Sequence, residues 1–439
     1  MQRVHQWIGL VVLAALPLQW FAVGQTPLGL MRVHQVVMLL GTVLLMVSWK
    51  PEAYSPVLVT ARVFVGIFVL MLGLWSAMSL FNGVVPRITI QVFIYLVVFV
   101  VMGTYFYRAF SGDIPGAVSA LRWSATAAGL VLVAALALSM MKNGVNPIGT
   151  LQATVAQANP EILQKELFRS SFVGYGYDAT TVRGNIRHEV FGGVLLAMYV
   201  AAAAETFTGD AAPAGPGRWR WVRRAGFALC VVLLLMSMSR AVLLAAAAWP
   251  ILALIRSVRM KSLSRRHVVV LLTSAVTVTL LTVTGLGLVI WNRFTSDTAS
   301  YQGRTGLYER AFNNIGGSFL TGGIDTTNES SHNFVIDAQL RGGVLVATCA
   351  AALLAVLLFA WFKSIVRLPY EPAWMLPVTA AFALPLDRML TAGGGLIPPV
   401  SWLTLALVAG AFTVRRRERL LGRTGSSPVP RMPEVPVRR

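Results

Sequence analysis

The chain has 439 residues, 56% of them hydrophobic and only 12% charged, with a mean hydropathy of +0.68. Soluble domains carry roughly 25% charged residues, so this balance excludes a water-soluble globular protein and indicates an all-α polytopic membrane protein. The net charge of +20, from 37 Lys and Arg against 17 Asp and Glu, would suggest nucleic acid in a soluble chain. Here an excess of basic residues on the cytoplasmic side of membrane spans accounts for it, and no nucleic-acid partner is expected.

The chain opens MQRVHQWIGLVVLAALPLQWFAVG, a basic start and an apolar run of the kind found in signal peptides. Trp20 and Phe21 crowd the small residues where cleavage would fall, so we read a retained first span. Ten-residue alternating segments, the mark of a membrane barrel, are absent. Apolar runs near the roughly 20 residues that a spanning helix needs lie at 5–23, 33–49, 58–80, 88–107, 117–141, 188–205, 225–239, 241–256, 267–291, 333–362, 373–391 and 396–414. About twelve transmembrane helices are therefore expected.

The basic residues sort these spans. Lys50, Arg62, Arg108, Arg122, Arg220, Arg223, Arg224, Arg256, Arg259, Lys363, Arg367 and the run from Arg415 fall on one side, which is the cytoplasm by the positive-inside rule, with both termini inside. The expected organisation is five spans over 1–141, an outer loop over 142–187, and spans six to nine over 188–291 with a short hairpin at 225–256. A second outer loop covers 292–332, the last three spans cover 333–414, and a basic, disordered cytoplasmic tail covers 415–439. In the first outer loop Asn159 and Pro160 open a helix. In the second, Leu307, Tyr308, Ala311, Phe312 and Ile315 form one helical stripe.

Several polar residues stand where apolar spans begin. His332 lies just before the span at 333, on a polar stretch (ESSHN) with no His, Cys or acidic companion at metal-ligand spacing. At a helix N-terminus the positive end of the dipole disfavours imidazolium, and a neutral histidine within reach of a hydroxyl is a general base. The plain reading is an interfacial histidine beside a cap made by Ser330, Ser331 or Asn333; the residues alone leave both open. Arg183, Arg187, Arg240, Arg304 and Arg310 lie on the outer side, where arginine is depleted. Each fits either bidentate phosphate pairing or snorkelling to headgroups. The hairpin should hold Arg240 deepest, at a cost of about 2.5–3.5 kcal/mol for an unpaired arginine at bilayer depth. Asp387–Arg388 and Asp337–Arg341 read as ion pairs within the bundle. Cys230 and Cys349 sit inside apolar runs and read as neither disulfide nor metal site. No Walker loop, HExxH or Cys/His cluster occurs, so no metal or cofactor is expected.

The stretch from Gly303 to Gly343 resembles the signature region of the bacterial O-antigen ligase and polymerase superfamily. Gly303-Arg304, Tyr308 and Ala311 stand at its helix, Leu320-Thr-Gly-Gly323 at its turn, and His332-Asn333 before its late span. Ser239-Arg240 resembles its Ser-Arg-Gly element, with Ala241 in place of the glycine. Tyr308 stands where tryptophan is common, and Arg341-Gly342-Gly343 replaces an acidic residue before Gly-x-x-Gly. The resemblance implies a GT-C-like fold with two structured periplasmic loops, and a glycosyltransferase that moves a glycan from undecaprenyl diphosphate. In the ligase branch the acceptor is lipid A–core oligosaccharide, on the periplasmic face of the inner membrane. It further implies His332 as base, Arg183, Arg187 and Arg240 as diphosphate contacts, and Arg304 as a weaker contact. Asn333, Tyr308, Arg310, Asp387 and Arg388 are expected in support. The same resemblance leaves an O-antigen polymerase or a protein O-oligosaccharyltransferase as sister readings, and a lipid-linked-glycan transporter as a more distant one. Donor, acceptor and membrane lipids are the expected partners; the sequence assigns no oligomeric state and is compatible with a monomer.

Overall fold

The structure, a computed structural model, describes residues 2–26, 29–83, 87–159, 162, 186–207, 217–237, 239–260, 298–317, 319–324, 333–391, 396 and 398–424. About 86% of these are helical. Among the described residues, six helical stretches are long and apolar enough to cross a membrane: Pro51–Phe81, Ile88–Phe110, Ser124–Met141, Glu189–Phe207, Arg240–Arg259 and Phe334–Tyr370. Several bear large apolar side chains on their outer faces, among them Val69, Leu70, Leu130, Leu254 and Phe359. Such faces suit hydrocarbon rather than water, as a multi-pass membrane protein requires.

The N-terminal run splits into α1 (Gln2–Ala15), a short 3-10 turn over Leu16–Trp20, and a two-stranded ribbon of β1 (Ala22–Thr26) and β2 (Gly29–Arg32). Pro17 cannot donate to the α1 ladder, so the helix tightens and stops there. The ribbon pairs Ala22 with Arg32 and Thr26 with Gly29. It delivers the chain directly into α2 (Val33–Ser48), with Arg32 at the join. Hydropathy alone reads this segment as the end of a span and a plain loop.

The remaining helices are α3 (Ser55–Phe81), α4 (Arg87–Phe110), α5 (Ala117–Leu121), α6 (Ser124–Asn143), α7 (Pro147–Ala156), α8 (Ile186–Phe207), α9 (Gly217–Met236), α10 (Arg240–Arg259), α11 (Thr298–Ile315), α12 (Phe334–Arg367), α13 (Met375–Ala381), α14 (Ala383–Thr391) and α15 (Pro399–Thr424). The core sits where α15 packs along α4. A Cβ on Gly410 would stand 2.7 Å from the Gly103 carbonyl oxygen, so only hydrogen allows these two backbones to approach as they do. Trp402, fully buried, meets Phe68 edge-on at 4.9 Å and Phe99 at 6.2 Å.

Four expectations change. The run at 117–141 breaks between α5 and α6, where the Ser124 hydroxyl donates to the Leu121 carbonyl at 2.6 Å. The run at 373–391 breaks at Phe382, because Pro385 has no N–H for the Ala381 carbonyl. The hairpin at 225–256 is not short: α9 and α10 have 20 residues each, about 30 Å at 1.5 Å per residue. Its first helix begins within the basic, tryptophan-rich GRWRWVRR, which hydropathy excludes from a span. Finally, the basic tail does not begin at Arg415: helix α15 runs on to Thr424, because Arg415 and Arg419 both reach the Glu371 carboxylate, at 2.5 and 2.6 Å. Most of the helix predicted from Asn159 (160–161 and 163 onward) and the span at 267–291 lie outside the described residues. The cap chemistry assigned to Asn159 does occur earlier, at Asn146-Pro147, where the Asn146 side chain accepts from the Ile148 and Gly149 amides at 3.1 Å.

Candidate functional site

At one end of the bundle the starts of α2, α8, α10 and α15 meet the end of α14. Glu189, in the first turn of α8, is the hub. Its Oε2 lies 3.3 Å from Arg32 Nη1 and its Oε1 lies 3.4 Å from Arg388 Nη2. Arg32 is held by its own helix start, since its backbone N–H donates to Gln35 Oε1 at 2.9 Å. The amide of Gln35 in turn donates to the Tyr95 hydroxyl at 2.8 Å, which also accepts from Gln91 at 3.1 Å. A polar relay thus crosses from α2 to α4 beside the ion pairs.

A small cavity of ≈ 20 Å³ adjoins Glu189, Asp387, Arg388, Ala241 and Ser401. Ser239 and Arg240 approach it from the hairpin turn. The Ser239 hydroxyl accepts from the Val242 amide at 3.4 Å, and the Ser237 hydroxyl accepts from the Ser239 amide at 3.2 Å. Those serines bend the chain back and leave Arg240 as the first residue of α10. Arg388 is mostly buried, and its Nη1 has no hydrogen-bond partner among the described residues.

Away from this cavity, where α12 meets Trp75 of α3, α12 carries the feature that gives the LRGG stretch a purpose. Gly343 has φ +75 and ψ −174, which opens the helix between regular turns on either side. Opening it releases backbone groups that the 319–324 loop then satisfies. The Gly323 amide donates to the Arg341 carbonyl at 3.1 Å, and the Ile324 amide to the Leu340 carbonyl at 3.0 Å. The Val344 amide and the Gln339 side chain both donate to the Phe319 carbonyl, at 2.8 and 2.9 Å. Leu320-Thr-Gly-Gly323 and Leu340-Arg-Gly-Gly343 are therefore two halves of one docked element. The Asn82 side chain at the end of α3 pins it, donating to the Thr321 carbonyl at 3.0 Å. The Arg341 guanidinium lies 5.8 Å from the Trp75 ring centroid, within cation–π range.

Of the residues singled out in the sequence, Asn333 is the N-cap of α12, its side chain accepting from the Val335 and Ile336 amides at 3.0 and 3.3 Å. Tyr308 is half-buried on α11 and Ala311 is buried, whereas Phe312, on the same expected stripe, is exposed. Arg310 folds back on its own helix, its Nε donating to the Gly306 carbonyl at 3.2 Å. Arg388 pairs across helices with Glu189 rather than solely with its neighbour Asp387. His332 and Arg183 lie outside the described residues, as do the side chains of Arg187 and Arg304.

Arg32 and Glu189 escape a reading of the sequence. Arg32 ends a strand that hydropathy does not register, and Glu189 resembles an ordinary helix-start acid. Arg32 stands between two expected spans, on the side where the positive-inside rule expects few arginines, and that scarcity is the signal that could have found it. No protein-family model matches the chain, and no curated protein does either.

Proposed function

We propose that this protein is an O-antigen ligase of the bacterial inner membrane, with about twelve spans and both termini in the cytoplasm. It transfers O-antigen polysaccharide from undecaprenyl diphosphate to lipid A–core on the periplasmic face. An acceptor hydroxyl attacks the anomeric carbon as the bond to the diphosphate oxygen breaks, and the diphosphate leaves with the electron pair. His332 takes the hydroxyl proton, and attack opposite the leaving group inverts the anomeric centre. Diphosphate is already a good leaving group, so the reaction needs fixed positive charge rather than a metal. Arg183, Arg187 and Arg240 supply it, with Arg304 in a lesser role.

The observation that carries this reading is Arg388. It lines the cavity next to Ala241, and its buried Nη1 is a hydrogen-bond donor with no partner among the described residues. A buried donor left unsatisfied costs about 1–3 kcal/mol, and a phosphate oxygen relieves it. Asn333 caps the helix immediately after His332, so that histidine precedes the positive end of α12, as a neutral base requires. Reconstitution with purified lipid A–core and carrier-linked O-antigen tests the proposal. Wild type should form ladder lipopolysaccharide in the presence of chelator, and Arg388→Ala should lower the yield. Strict dependence on added metal would overturn the arginine account, and absence of transfer by wild type would overturn the function.

A further inference from the structure

Helix α8 carries a second charged site. Glu205 lies 16 residues beyond Glu189, hence about 24 Å along the helix, at the opposite end of the bundle. There a cavity of ≈ 320 Å³ opens between the start of α6, the end of α8 and the start of α9. Four arginines line it, Arg122, Arg220, Arg223 and Arg224, and Glu205 is the one acid among the lining residues. Its Oε1 lies 3.4 Å from Arg223 Nη2 and its Oε2 lies 3.6 Å from Arg122 Nε. Four positive charges thus face one negative, an excess of three. The Arg122 Nε is buried and has no hydrogen-bond partner among the described residues. Guanidinium groups so gathered repel one another unless an anion sits between them.

The surroundings indicate which anion. Trp219 and Trp221 are 42% and 71% exposed beside the cavity, and tryptophan collects at the headgroup level of a bilayer. Arg223 lies over Trp123 and Arg224 over Trp221, each at 5.6 Å from the ring centroid, so the aromatic and basic groups form one layer. Arg220, Arg224, Phe227 and Val231 follow one another at i, i+4, i+7 and i+11, a single face of α9 that is basic at its start and apolar beyond. Val231 remains exposed on that face. A phosphate held by the arginines would have its attached chains lying against an apolar helix.

We propose that this cavity binds the phosphate of an anionic phospholipid headgroup. Paired guanidinium–phosphate hydrogen bonds supply the recognition, and basic pockets between membrane helices are suited to such headgroups. The bound lipid would tie α6, α8 and α9 together at the end remote from the Glu189 cluster.

The test uses the full chain in phosphatidylcholine nanodiscs, with phosphatidylglycerol titrated in and bound lipid counted by native mass spectrometry. Wild type should take up phosphatidylglycerol saturably. Removing a charge should weaken binding about fivefold, and Arg220→Gln with Arg224→Gln roughly 25-fold. Both side chains are exposed, which spares the fold, and the single Arg220→Gln variant gives a second, smaller reading. Arg416→Gln, at the same end but outside the cavity, should bind as wild type does. The proposal fails if the double variant binds like wild type, or if Arg416→Gln weakens binding as much, which would mean diffuse surface charge. It also fails if millimolar inorganic phosphate displaces phosphatidylglycerol completely, which would assign the cavity to a soluble phosphate.

Discussion

Glu189 and Arg388 are 199 residues apart in the chain, and their charged atoms lie 3.4 Å apart in the fold. Arg32 closes on the other carboxylate oxygen, so one acid joins the starts of α2 and α8 to the end of α14. The arrangement sets the spacing of two arginines, one of which, Arg388, lines the cavity.

Replacing that acid should therefore loosen the site. Glu189→Gln deprives two mostly buried guanidiniums of the counter-charge they share. A fully buried pair broken on one side costs about 3–5 kcal/mol, and the 12–25% exposure of these side chains reduces the expected loss to about 1–3 kcal/mol. A lower melting temperature in detergent, restored in part by Glu189→Asp, is the expected result. An unchanged melting temperature would show that the hub contributes nothing to stability.

The break in α12 gives a sharper prediction. At φ +75 and ψ −174 a side chain is strained by about 1–3 kcal/mol, and a Cβ on Gly343 would also collide with the Leu320 carbonyl. Gly343→Ala should detach the 319–324 loop, which hydrogen–deuterium exchange would register as faster exchange at Gly323, Ile324 and Val344. Equal exchange in the two proteins would mean that the loop is held by other contacts.

Asn333 is the cap of α12, and His332, its neighbour in sequence, is the base of the proposed reaction, so the two can be tested separately. Asn333→Ala removes the cap of α12 and should cost about 0.5–2 kcal/mol, whereas Asn333→Ser should retain most of the stability. His332→Ala should leave the melting temperature near that of wild type yet abolish glycan transfer in the reconstituted reaction, because a base contributes typically 10²–10⁴-fold. Full transfer by His332→Ala would remove the histidine from the mechanism.

At the other end, Glu371 accepts from Arg415 and Arg419, and its carbonyl accepts from Arg256 Nη2 at 2.8 Å. Glu371→Gln should free the last turns of α15, and trypsin should then cut between Arg415 and Arg419 faster than in wild type. Cleavage at the wild-type rate would show that helix propensity alone holds this segment.

Much of the molecule's class is legible in the chain because it rests on short-range chemistry. Apolar runs such as 58–80 and 333–362 form helices, since a backbone in hydrocarbon has no other partner for its amides. Asn333 before Phe334 reads as a cap for the same local reason. What escapes are breaks and partners. The opening at Gly343 looks like one more small residue in an apolar run until Leu320 is seen beside it. The GRWRWVRR stretch looks like a loop until its tryptophans and arginines are seen continuing α9. Arg32 and Glu189 carry no local pattern, because their meaning lies in each other.

By itself, then, the sequence determined that this chain is a helical membrane protein, where most of its helices run, and which polar residues stand at their ends. Those properties depend on composition and on neighbours within about one helical turn. The tertiary structure alone decided that Glu189 joins Arg32 and Arg388, that LTGG docks on LRGG, and that four arginines share one cavity with Glu205. These depend on pairings between residues distant in sequence, and only the packing of whole helices brings such residues within hydrogen-bonding distance.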